Sequence, residues 1–175
     1  MDLVTYKKLI KETNKMLGIP ESYEKDFALP LYMEENDLVE IGKDIYDRAQ
    51  LLASKTENQW REMYESAKKE NIELTIVSAF RSVEYQANII RRKLDKGFKI
   101  SSVLKASAAP GYSEHHTGCA LDLTTTGCDT LSERFDQTLA FRWLQKHGEK
   151  FGFNLSYPKN VKSKIIYEPW HWACL

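Results

Sequence analysis

The sequence of 175 residues lacks several features that mark specialised classes of protein. No run approaches the roughly 18 consecutive apolar residues that are needed to span a bilayer, so no membrane span is expected. Lys and Arg number 25, and Asp and Glu also number 25. The basic excess of a typical nucleic-acid-binding protein is therefore absent, and a nucleic-acid partner is not expected. The length suits one domain, residues 1–175, with a hydrophobic core of its own.

Cysteine is also scarce. Cys119, Cys128 and Cys174 include no CxxC pair, which argues against a disulfide scaffold and a zinc-finger knot and leaves at most one bridge. The N-terminal stretch MDLVTYKKLIKETNKML has no apolar h-region and no small-residue cleavage site. We therefore expect a cytoplasmic chain as written, or an exported one if a signal peptide has been removed.

The hydrophobic pattern predicts an α+β fold. The first 70 residues are predicted to be mostly helical, with a short amphipathic helix that ends near Gly18 and a longer helical region over about 38–70. A buried, β-branched strand is predicted over 72–80, followed by a helix that Ser82 caps. Further short strands are predicted in CALDLT, FNLSY and IIYEPWHWA. Because strands and helices do not alternate regularly, we expect a small antiparallel sheet flanked by helices.

The segment CALDLT carries a charge inside an apolar strand. Leu121 and Leu123 share one face of the strand and can enter the core, whereas Asp122 points to the opposite face. An unpaired buried carboxylate is costly, so Asp122 needs a partner. A metal ion would meet that need, since His115 lies upstream in a glycine-rich turn that can fold over the same face. His116, its neighbour, is an alternative ligand.

The segment YEPWHWA supplies further candidates. Glu168 precedes His171 by three residues, and Pro169 restricts the backbone between them. With His115 and Asp122, His171 would give two imidazoles and one carboxylate, and three protein ligands with a vacant fourth position are typical of catalytic zinc. Glu168 would lie near the metal without binding it, which is the place of a general base for water.

Simpler explanations apply to each of these residues taken alone. A histidine in a loop is most often a surface residue, and neither the HxxxxxxD nor the ExxH spacing is specific. His147 lies in a charged helix and is interpreted as such a surface residue. The other three histidines cluster with Asp122 and Glu168 in two short segments, and this clustering favours a metal site.

Three stretches, SAFRSVEYQ, PGYSEHHTGCALDL and YEPWHW, together resemble the VanY-type D-alanyl-D-alanine carboxypeptidases. The family pattern is SxHxxGxAxD followed by ExxH, and Ser113 to Asp122 and Glu168 to His171 match its two parts. The resemblance covers about 71–172, and the first 70 residues match only loosely. It implies a Hedgehog/D-Ala-D-Ala-peptidase-like fold with a zinc peptidase core over 71–175.

The resemblance also implies how the metal is held. It implies Zn²⁺ as the cofactor, bound by His115, Asp122 and His171, and it selects His115 over His116. Glu168 takes the role of catalytic base.

Three more residues gain roles from the resemblance. Arg81, which is otherwise a cation at a strand end, is implied to stabilise the oxyanion of the tetrahedral intermediate with its fixed N–H donors. Gln86 and Ser113 match positions that contact the substrate peptide. Without the resemblance, Gln86 would be a helix-surface residue and Ser113 a turn or cap.

The implied activity is that of a zinc D,D-carboxypeptidase that releases the terminal D-alanine from a peptidoglycan peptide or a muropeptide precursor. An L,D-carboxypeptidase, an L-alanyl-D-glutamate endopeptidase and a catalytically silent, zinc-stabilised binding module are the alternatives. Glu168 and Arg81 favour an enzyme, because a silent module needs no base beside its metal. We expect a monomer, and a periplasmic or cell-wall location if a signal peptide has been removed.

Overall fold

Helices flank a small antiparallel sheet in the computed structural model, which describes residues 1–160 and 164–175. The helices are α1 (Leu3–Met16), α2 (Tyr23–Phe27), α3 (Ser54–Lys69), α4 (Val83–Asp95), α5 (Ile100–Val103) and α6 (Leu139–His147). The strands are β1 (Leu38–Lys43), β2 (Ala49–Ala53), β3 (Thr75–Ser78), β4 (Ala120–Thr124), β5 (Asn154–Leu155) and β6 (His171–Ala173). None of the helices in the described ranges is long and apolar enough to cross a membrane. The predicted α+β class is confirmed.

The main sheet has the strand order β3-β4-β6-β5, and every neighbouring pair is antiparallel. β4 is buried along its whole length. Its alternation follows the sequence pattern, because Leu121 and Leu123 lie in the core while Asp122 faces the other side. Asp122 is opposite His171 on β6 and opposite Ser78 on β3. The register of two strand pairs therefore brings the two distant motifs together.

The prediction of a helical region over 38–70 is wrong in its first half. β1 and β2 form a hairpin there, with Val39 opposite Leu52, and α3 begins only at Ser54. The Asp44 carboxylate fixes the reversal by accepting hydrogen bonds from the backbone N–H groups of Tyr46 (2.8 Å) and Arg48 (3.0 Å). The first 70 residues are thus a mixture of helices and a hairpin, not mostly helical.

The buried core of the described residues has three parts, two large and one small. The largest part packs α3 and α6 against the apolar face of β4, and includes Trp60, Met63 and Leu144. The second part packs α2, α4 and α5 around Ile90, and the small third part joins α1 to the start of α4. The predicted helix cap is present, since the Ser82 hydroxyl accepts from the N–H of Tyr85. All three cysteines are free thiols.

Gly118 is the point where the hairpin meets the loop that carries His115. Its φ of +65° is a left-handed conformation, which strongly favours glycine. A Cβ atom at this position would lie 2.7 Å from the backbone N of Ala53 and 3.1 Å from a methyl carbon of Leu38. The Gly118 carbonyl accepts a hydrogen bond of 2.9 Å from that same Ala53 N–H, so the backbone has no room to move away.

We predict that Gly118→Ala lowers the free energy of unfolding by about 2–5 kcal/mol, because left-handed strain of about 1–2 kcal/mol adds to overpacking of about 1–3 kcal/mol. Gly127→Ala is the matched control, since Gly127 has φ +80° with nothing within 4 Å of its added Cβ. Its free energy of unfolding should fall only by the left-handed strain of about 1–2 kcal/mol. Urea unfolding of both variants measures the difference, and equal losses would show that the contact with Ala53 is not tight.

Candidate active site

One cleft of about 400 Å³ brings the predicted site residues together. It lies where β4, β6, α4 and the loop before β4 converge. The predicted residues that line it are Arg81, Gln86, Ser113, His115, Asp122, Glu168 and His171. A larger cavity of about 620 Å³ beside α1 contains none of the predicted site residues.

Asp122 is the buried anion at the centre of this cleft. Its Oδ1 lies 3.0 Å from His171 Nδ1, and its Oδ2 lies 3.3 Å from His115 Nε2 and 3.5 Å from Arg81 Nη2. Burial raises the pKa of Asp122, but His115, His171 and Arg81 outweigh it and hold the pKa well below its usual range. The side chain is therefore a carboxylate.

His115 presents a free lone pair to that carboxylate. It lies in a short 3₁₀ helix, Glu114–Thr117, and its Nδ1–H donates to the carbonyl of Ala79 at 2.5 Å. This bond fixes the tautomer of the His115 ring, so Nε2 carries a lone pair and can only accept. Nε2 has no hydrogen-bond partner among the described residues. Burial, and then the Arg81 cation, lower the pKa of His115 to about 4. A neutral nitrogen and a carboxylate facing each other fit a cation between them.

His171 lies between two carboxylates. Its Nδ1 is 3.0 Å from Asp122, and its Nε2 is 2.8 Å from Oε2 of the buried Glu114. Burial alone would lower the pKa of His171, but the hydrogen bonds to Asp122 and Glu114 raise it to about 10. A carboxylate on Nε2 turns Nδ1 toward Asp122 and orients the ring, as such partners do for metal-binding histidines.

The three side chains form a donor set that suits a divalent metal ion. The ligand atoms of His115, Asp122 and His171 all lie within 4.8 Å of one another, and the three residues are at most 4% exposed. Two imidazole nitrogens and one carboxylate oxygen are typical ligands of catalytic zinc. The unpartnered Nε2 of His115 is the observation that fits a metal best, because a buried polar atom rarely lacks a partner.

His116, the alternative ligand, is directed away from this set. Its Nδ1–H donates to the carbonyl of Arg81 at 2.6 Å, and its Nε2 accepts from the N–H of Gly111 at 3.1 Å. Both ring nitrogens are therefore used by the backbone, and neither has a lone pair free for a metal. His116 ties the glycine-rich turn to the strand end at Arg81.

Glu168 lies beside the donor set as a separate carboxyl group. It begins a tight turn in which the N–H of His171 donates to the Glu168 carbonyl at 3.0 Å, and Pro169 occupies the second position, where proline is favoured. Burial raises the pKa of Glu168 to about 7, against the lowering effect of His171. A carboxyl group with a pKa close to neutral is well suited to accept and return a proton.

The remaining predicted residues carry open hydrogen-bonding positions. Arg81 Nε and Gln86 Oε1 are buried without a partner among the described residues. The amide Nε2 of Gln86 is held by the carbonyl of Ala108 at 2.7 Å, which fixes its oxygen in place. Ser113 is 3% exposed and lines the cleft without capping the helix that follows. Gln86 is thus a buried cleft residue rather than a helix-surface one.

The sequence reasoning missed three residues of the cleft or its support. One is Glu114, and another is Tyr157, whose ring centroid lies 5.0 Å from that of His171. Lys93 also lines the cleft. A signal for Lys93 was available, because it follows Gln86 by seven residues and so lies on the same face of α4.

Comparison with known proteins gives relatives of this chain. Residues 49–174 match the family VanY, D-alanyl-D-alanine carboxypeptidase. YodJ of Bacillus subtilis (strain 168) is 35% identical over 155 residues, which cover 84% of this chain and 56% of YodJ. The chain spans about half the length of the curated relatives that it matches first.

Solved structures agree with this result. The LD-carboxypeptidase LdcB is 32% identical with a TM-score of 0.72, over 82% of this chain and 70% of LdcB. A zinc complex of the D,D-pentapeptidase VanY from a VanB-type vancomycin-resistance cassette has a TM-score of 0.59 at 20% identity, over 85% of this chain and 80% of that one, which shows the same fold. The fold and the family predicted from the sequence are both confirmed. The chain belongs to the VanY family of D-alanyl-D-alanine carboxypeptidases.

Proposed function

We propose that this chain is a zinc-dependent D,D-carboxypeptidase that releases the terminal D-alanine from peptidoglycan peptides. The observation that carries the proposal is the pairing, in one cleft, of a buried ligand set with a separate carboxyl group, Glu168, whose pKa is near neutral. A set of three ligands that leaves such a group free suits hydrolysis. Membership of the VanY family supports the reaction, and the zinc complex of a VanY relative supports the metal.

The predicted site residues each have a task in this proposal. Zinc held by His115, Asp122 and His171 would supply Lewis-acid polarisation of the scissile carbonyl and favour ionisation of water. Glu168 accepts the proton of the attacking water and returns it to the leaving amine, which needs a group that is both a base and an acid near neutral pH.

Arg81 stabilises the negative charge that develops on the carbonyl oxygen. Its guanidinium lies 3.5 Å from Asp122 and keeps one buried N–H, that of Nε, without a partner among the described residues, so a donor remains available for an oxyanion. The free Oε1 of Gln86 accepts a peptide N–H of the substrate, and the Ser113 hydroxyl contacts the same peptide.

An L,D-carboxypeptidase is the second candidate, and the match to LdcB at 32% identity favours it. Incubation with UDP-MurNAc pentapeptide, UDP-MurNAc tetrapeptide and free D-Ala-D-Ala, followed by mass analysis, separates the alternatives. A D,D-enzyme shortens the pentapeptide and spares the tetrapeptide, whereas an L,D-enzyme shortens the tetrapeptide. Cleavage between L-alanine and D-glutamate would indicate an endopeptidase, and no cleavage of any substrate would indicate a silent binding module.

The ligand set predicts about one zinc ion per chain. His115→Ala should lose the metal, because it removes one of three ligands. His116→Gln should keep it, since the amide of glutamine can still accept from the N–H of Gly111. Elemental analysis after dialysis measures both variants. Loss of zinc from His116→Gln together with retention in His115→Ala would show that the assignment is reversed.

Glu114 is predicted to tune zinc affinity through His171. Glu114→Ala should weaken zinc binding about 10–100-fold, the usual effect of removing a partner that orients a ligand. Glu114→Gln should lie between this variant and wild type, because its amide oxygen can still accept from Nε2–H of His171. Competition with a zinc chelator gives the three affinities. Equal affinities would mean that the 2.8 Å contact does not orient the ring.

Glu168→Gln should lower kcat by about 10²–10⁴, the usual contribution of a general base, because it keeps the shape of the side chain but not its basicity. Zinc content and substrate binding should stay at the wild-type level, since the ligands are untouched. Glu133→Gln, at an exposed position, is the control for loss of a carboxylate. Loss of zinc from Glu168→Gln would make Glu168 a ligand and place the base elsewhere.

A further inference from the structure

Lys93 lies within the cleft on α4. Gln86, Ile89 and Lys93 follow one face of this helix, and all three line the cleft. The ammonium Nζ of Lys93 donates to the Ser107 hydroxyl at 2.7 Å, and that hydroxyl donates to the carbonyl of Ala106 at 2.6 Å. The short chain of bonds holds the ammonium at a defined place in the wall of the cleft.

This ammonium has unfilled hydrogen-bonding capacity. It has three N–H donors, and the Ser107 hydroxyl is an acceptor for one of them. No carboxylate of the described residues lies within 4.0 Å of Nζ as an ion-pair partner, although Lys43 and Lys159 at the surface both have such partners. Burial, and then the Arg81 cation, lower the pKa of Lys93, against the raising effect of the Glu168 carboxyl. A half-buried ammonium group without a direct anionic partner is costly.

The charges of the cleft indicate which kind of group Lys93 could bind. Arg81 and Lys93 are the two Arg or Lys side chains among the described lining residues. The His171 imidazole, which also lines the cleft, already lies between the carboxylates of Asp122 and Glu114. Arg81 already lies 3.5 Å from Asp122, so Lys93 is the cation that is available to an incoming anion. The neighbouring side chains on its wall, Ala106 and Ala108, are small and leave the ammonium accessible.

We propose that Lys93 binds the C-terminal carboxylate of the substrate and thereby selects peptides with a free chain end. This inference rests on the proposed carboxypeptidase function, because every substrate of a carboxypeptidase carries that group. The fixed Oε1 of Gln86, on the same face of α4, is placed to accept an N–H of the same peptide. Gln86 would hold the peptide backbone, and Lys93 would distinguish a terminal residue, which carries a carboxylate, from an internal one, which does not.

The test compares two pentapeptides ending in D-Ala-D-Ala, one with a free carboxylate and one with a C-terminal amide. Lys93→Met keeps the aliphatic stem and removes the charge. It should raise KM for the acid by about 10–100-fold, the value of one hydrogen bond between charged groups, with kcat within about twofold of wild type. KM for the amide should not change. Lys93→Arg should restore part of the preference, and Lys96→Met, exposed at the end of α4, should match wild type.

Binding without turnover is measured by calorimetry on zinc-loaded Glu168→Gln protein, with and without Lys93→Met. The affinities for both peptides show whether Lys93 binds the terminal carboxylate. If wild type cleaves no wall peptide, the proposed function fails, and binding still tests Lys93. Preference for the acid that disappears with Lys93→Met supports the proposal. An unchanged preference overturns it, and so does an equal loss for both peptides, which would mean that Lys93 contacts a side-chain carboxylate. Absence of binding by both peptides overturns it as well.

Discussion

The site depends on the strand register of β4. Asp122 is directly opposite His171 on one side and Ser78 on the other, so the backbone hydrogen bonds of the sheet place the carboxylate against the imidazole. The carbonyl that orients His115 belongs to Ala79, the residue after β3. A shift of one residue in either strand pair would turn Asp122 to the opposite face and separate the three ligands.

The buried carboxylates of the cleft are stabilised by contact with one histidine of the sheet. Asp122 and Glu114 are buried carboxylates, and each is in contact with a ring nitrogen of His171. Removing two carboxylates from water is costly unless they are paired and hydrogen-bonded. Their shared contact with one imidazole explains why the local structure supports two acidic groups within a short distance. Burial raises the pKa of Glu168, and this carboxyl group has no such ion pair among the described residues to offset the effect.

The sequence predicts those features of the fold that depend on local periodicity. The alternation in CALDLT correctly predicts that Leu121 and Leu123 face the core and that Asp122 faces the other side. The hairpin over 38–53 was missed because its apolar residues also fit helical spacing, and only the turn bonds of Asp44 distinguish the two structures. Local pattern also left the choice between His115 and His116 open, since the groups that orient them, Ala79, Arg81 and Gly111, lie elsewhere in the chain or on the backbone. The direction of Glu114 depends on a single 3₁₀ turn, which has no sequence period to read.

The hydrogen bonds of His116 make the stability of the fold depend on pH. Its Nε2 can accept from Gly111 only when the ring is neutral, and burial lowers its pKa from the ordinary 6.5 to about 4. A histidine whose pKa is lower in the folded state contributes stability that is fully present above pH about 6.5 and is lost as the pH falls toward 4. At 1.36 kcal/mol per unit, this amounts to about 3 kcal/mol, which is a large part of the stability of a typical domain. The turn that carries His115 is therefore held most firmly near neutral pH, and acidification toward pH 4 would loosen it.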